Sequence, residues 1–208
     1  WRSEIALCRR DVSDVRERAA AALALATEHG LPLWIGMATV MQGWAVSEQG
    51  ESAQGIAQIR VGLSTLERAG DRLFGPYYVT LLAEALGKAG QRDDGLAAID
   101  EAIEGCRKAG APYWDSELQR LRGELLLAKN GSDAVAVETC FRQAIEIAQA
   151  QSAKSLELRA ATSLARLWAE QGKRAEARDL LARVHGWFTE GFDTADLKDA
   201  KALLDELK

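Results

Sequence analysis

Glycine recurs at a fixed interval along this chain, and no other feature restricts the fold as sharply. Gly30, Gly70 and Gly110 lie forty residues apart, preceded by Glu28-His29, Arg68-Ala69 and Lys108-Ala109, and each closes a stretch with helical periodicity. A glycine just past a helix takes the left-handed backbone of a C-terminal cap without a Cβ clash. A second series, Gly50, Gly90 and Asn130-Gly131, keeps the step, and Gly172 follows after a small insertion. Small residues accompany this second series. Gly43, Ala83, Gly123 and Ala165 come two helical turns before it; Gly55, Gly95 and Ala177 come just after it, with Val137 in the third unit. Gly62, Ala102 and Ala144 continue the same face. Such positions predict helices whose backbones approach closely.

Pro32, Pro76 and Pro112 fall just after the inter-repeat glycines, where the first turn of a helix tolerates a missing N–H. Apolar residues recur at three and four, as in Leu118, Leu121, Leu125 and Leu126, and nothing alternates with the period of a strand. The expected class is therefore all-α. A fixed period of roughly 20 to 50 residues means stacked units, none of which buries its face alone. The spacing predicts helix-turn-helix units of about forty residues over 1–30 (partial), 31–70, 71–110, 111–152 and 153–188, together one repeat domain spanning 1–208. A closing helix is predicted over 194–207, capped by Asp193-Thr194, with Leu197, Ala200, Leu203 and Leu204 on one stripe.

Composition narrows the function. The chain of 208 residues is 48% hydrophobic and 27% charged with three prolines, the balance of a folded chain. Its net charge of −5 is opposite in sign to that of a nucleic-acid reader, so no nucleic-acid partner is expected. No apolar run approaches the roughly 18 residues that span a bilayer, so no membrane partner is expected either. Cys8, Cys106 and Cys140 are odd in number, widely spaced and without a CxxC pair or a secretory signal, which predicts packed thiols in a reducing cytoplasm. The chain opens inside an amphipathic segment, as expected of a piece of a longer protein.

The stretches Gly43-Trp44-Ala45 to Gln49-Gly50 to Gly55-Ile56, and Leu164-Ala165 to Gln171-Gly172-Lys173 to Ala177, resemble the tetratricopeptide repeat. That pattern has a small residue in its first helix, glycine at the turn and alanine in its second. Two departures are plain: the period is forty rather than the usual thirty-four or so, and Gln42 and Arg122 stand where leucine is common. The long form is similar to the repeat regions of maltose-regulator-like activators. More narrowly, the segments 117–127 and 186–198 resemble the C-terminal end of bacterial proteins that join a class III adenylate/guanylate cyclase, an ATPase and a helical tail. The resemblance implies a right-handed α-solenoid serving as a regulatory or scaffolding segment, with any cyclase or ATPase chemistry upstream of this chain.

The residues themselves predict no catalytic, metal or cofactor site. His29 and His185 sit at helix ends, where a cation meets the negative end of the dipole. Gly172-Lys173-Arg174 resembles the tail of a phosphate loop, but Leu167 replaces its first glycine and Arg174 its hydroxyl residue, which leaves a turn. The acidic pairs Glu48/Glu51, Asp93/Asp94 and Glu101/Glu104 fall on helix starts and polar faces. Binding is the better expectation. The first helices of such a stack line a groove, whose positions read Val40, Trp44, Ser47; Thr80, Glu84, Gly87; Arg120, Glu124, Leu127; and Thr162, Arg166, Ala169. Trp44, Tyr77, Glu84, Arg120, Glu124 and Arg166 are the candidate partner-binding residues, since aromatics and arginine dominate interface energies. The expected partner is a protein or peptide, or upstream domains of the same protein. The alternative is a small ligand sensed between units and relayed to an upstream ATPase.

Overall fold

The computed structural model describes residues 2–71, 73–110, 112–129 and 133–208, and every regular element among them is helical. The first six helices are α1 (Arg2–Cys8), α2 (Val12–Glu28), α3 (Pro32–Glu48), α4 (Ser52–Arg68), α5 (Gly75–Lys88) and α6 (Arg92–Ala109). A 3₁₀ turn over Pro112–Trp114 leads into α7 (Asp115–Ala128), α8 (Ala134–Ala150), α9 (Lys154–Glu170), α10 (Arg174–His185) and α11 (Ala195–Glu206). No helix among the described residues is long and apolar enough to cross a membrane.

The turns follow a finer rule than the glycines alone reveal. Left-handed backbone occurs at Arg10, Gly30, Gly50, Gly70, Gly90 and Gly110, a step of twenty, and again at Ser152 and Gly172. At most of these turns the next amide reaches back over the last helical turn: Leu31 N to Ala26 O at 2.9 Å, Asp71 N to Leu66 O at 3.0 Å and Lys173 N to Trp168 O at 2.8 Å. This closes the carbonyls that a helix end leaves open. Arg10 and Ser152 hold φ of 56° without glycine's freedom, so the same chain reversal is imposed there by its surroundings. Gly131 lies outside the described residues.

Helix starts are marked less uniformly. Asp11 accepts from Asp14 N at 3.0 Å and Asp133 from Val135 N at 2.9 Å, ordinary N-caps. The Asp71 carboxylate takes the amide of Gly75 at 2.6 Å and that of Phe74 as well. Pro32 opens α3 and Pro76 lies in the first turn of α5. Pro112, by contrast, opens the 3₁₀ turn rather than α7. Thr194 stands at the N-cap of α11, but its hydroxyl donates to Gly191 O instead of capping the helix.

The chain divides into two compact units, Trp1–Ala111 and Pro112–Lys208. In the first, α3 packs against α2, α4 and α5. It is accordingly buried on most of its surface, whereas α4 buries the single stripe Gly55, Ile56, Ile59, Gly62 and Leu66. The core there centres on Val40, Trp44, Ile59, Tyr78 and Leu86. In the second unit α9 packs against α7, α8, α10 and α11 around Phe141, Leu158, Leu164 and Leu181, and α11 adds Leu197, Ala200 and Leu203.

The small residues act where the spacing predicts close approach. A Cβ added to Gly55 would lie 2.6 Å from Gly43 O and 2.7 Å from Ser47 N, so α3 and α4 touch backbone to backbone. At Gly123 the intruder is a side chain: an added Cβ would meet the Phe141 ring at 2.5 Å. Gly105 is the opposite case, with nothing within 4 Å of an added Cβ.

Alanine at a helix interior gains about 1 kcal/mol over glycine in propensity. Gly105→Ala should therefore raise stability by roughly 0.5–1 kcal/mol. Gly55→Ala should lower it despite the same gain, because two backbone groups must move. Urea titration of both variants checks this, and shifts of one sign would contradict the packing described.

Candidate interaction surfaces

Residues one repeat apart meet within each unit. In the first, Trp44 Nε1 donates to Glu84 Oε2 at 3.3 Å, forty positions along, and Glu48 pairs with Lys88 across the same interval. Arg10, at the left-handed turn between α1 and α2, donates to both oxygens of Glu84 at 3.0 and 2.9 Å. Its guanidinium also lies 5.5 Å above the Trp44 ring. Trp44 is thereby only 1% exposed, a core residue with its polar edge satisfied. Val40, Ser47 and Thr80 are buried as well, and Gly87 is half-buried. Tyr77 is half-buried on α5, its ring 5.5 Å from that of Tyr78.

The second unit repeats the theme with charges. Arg120 donates to both oxygens of Glu117, at 2.7 and 3.0 Å, and reaches Glu124 at 3.4 Å. Arg159 reaches Glu117 at 2.9 Å and lies 3.9 Å from Asp196 of α11. Ser163 donates to Glu124 at 2.5 Å, and Arg166 pairs with Asp199. Helices α7, α9 and α11 are thus tied through one ladder of alternating charge. Glu117 is 2% exposed, so its two guanidinium partners are required by its burial. Thr162 is buried, Ala169 half-buried and Leu127 exposed.

The structure therefore brings Trp44 together with Glu84, and Arg120 with Glu124, while Tyr77 packs against Tyr78 and Arg166 pairs with Asp199. Arg10, Glu117, Arg159, Asp196 and Asp199 were not among the sequence candidates. Glu117 carried a signal, one helical turn before Arg120; Arg10 carried none, since its partner lies 74 residues away.

Other charged groups are structural in their surroundings. Burial pushes the Glu157 carboxyl up, but hydrogen bonds from Lys154 at 2.6 Å and Gln149 at 2.8 Å outweigh it and hold the group below the ordinary glutamate range. Cys106 and Cys140 are buried as expected, but Cys8, the last residue of α1, is exposed. His29 caps α2 and His185 ends α10, its ring 5.9 Å from Phe192. Gly172-Lys173 forms the turn into α10.

A second kind of surface lies in the first unit, between α4, the start of α5 and α6. It is a cleft of about 460 Å³ floored by Leu63, Pro76, Leu82, Ala98 and Ala102, passing beside Gly105, with Arg60, Glu67 and Glu101 on its rim.

These features define an all-helical protein of two units, in each of which the first helices of neighbouring hairpins are joined by polar side chains. No family model matches the chain. It is 33% identical over 162 residues to an uncharacterized protein of Rhizobium meliloti (strain 1021), an alignment covering 78% of this chain and 16% of that protein.

Two outcomes follow for the ladder. Arg120→Ala should cost about 3 kcal/mol, the low end for breaking a buried pair because Arg159 remains, whereas Arg166→Ala at an exposed pair should stay within about 0.5 kcal/mol. Denaturant titration separates them, and equal costs would refute the ladder. Since Glu157 is depressed, its contribution is present above its unfolded pKa and lost as pH falls through the folded value. Lys154→Met should therefore move the acid-unfolding midpoint of the chain upward in pH, and an unchanged midpoint would contradict the pairing.

Proposed function

We propose that the chain is a protein-interaction module, a right-handed α-solenoid of tetratricopeptide-like hairpins within a larger bacterial signalling protein. The observation that carries this reading is the contact between residues one repeat apart, Trp44 with Glu84 and Glu48 with Lys88, which is what hairpins stacked in register produce. Stacks of this kind present extended surfaces, and their function lies in what those surfaces hold. The 16% share of the relative's length supports a setting inside a longer protein, and the resemblance at 117–127 and 186–198 supports cyclase and ATPase domains upstream. In that setting the module would hold a partner, or the upstream domains themselves, in a regulated arrangement.

The self-pairing of Arg120, Glu124, Glu84 and Trp44 gives those residues a role in fixing the stack, with any partner contact made by their outer edges. Small-angle scattering tests the shape. A compact 208-residue globule has a radius of gyration of about 17 Å, and a solenoid should exceed it clearly; a value at or below that figure would end the solenoid reading. In the parent protein, removing this module should alter nucleotide turnover or its dependence on a partner, and unchanged rates would count against a regulatory role.

A further inference from the structure

We draw no further inference here: the strongest candidate, the aromatic surface that the loop between α10 and α11 exposes through Trp187 and Phe192, carries nothing because nothing in the structure shows what covers it.

Discussion

Left-handed backbone at twenty-residue steps is the constraint on which the other features depend. Each such residue ends one helix and turns the chain back, so each helix becomes a neighbour of the one before it. The constant step between turns in the first unit brings equivalent positions of its successive hairpins to the same height, and residues forty apart can then meet. The reversal costs little at glycine and more at Arg10 and Ser152. At Arg10 the side chain that pays this cost also caps Trp44 and joins Glu84.

Interfaces within the two units solve one packing problem differently. Between α3 and α4, glycine meets glycine and the backbones themselves touch. Between α7 and α8, Gly123 accommodates the Phe141 ring, so the volume freed by one residue is filled by another. Both arrangements satisfy the dense packing of a protein interior, in which no void of methyl size persists without loss of contact. The cleft beside Gly105 departs from that rule at the surface, where solvent or a ligand can occupy the space.

Polar side chains join the first helices where apolar ones would have served for burial alone. Glu117 sits between two guanidinium groups at 2% exposure, and Glu84 between a guanidinium and an indole N–H. A buried ion pair contributes little net stability compared with well-packed hydrocarbon, yet it penalises any slip that would leave a charge unpaired. The ladder therefore fixes register between hairpins. It also changes the meaning of the sequence candidates: Trp44, Glu84, Arg120 and Glu124 hold the hairpins to one another before they can hold anything else.

Helix boundaries, the hairpin period and the close-approach glycines were legible in the sequence because each is a local requirement: a φ that only some residues take easily, or a Cβ that a neighbour excludes. Ser152 escaped because its left-handed turn carries no glycine, and Thr194 misled because a hydroxyl at the right place donated elsewhere. Partnerships over long separation were decided by tertiary structure alone. The Arg10 to Glu84 pairing across 74 residues and the burial of Trp44 beneath it arise from how hairpins stack, and no local rule links those positions. The cleft belongs to the same category. A glycine at 105 reads in the sequence as one more small residue, and only the packed helices around it turn the missing side chain into a space.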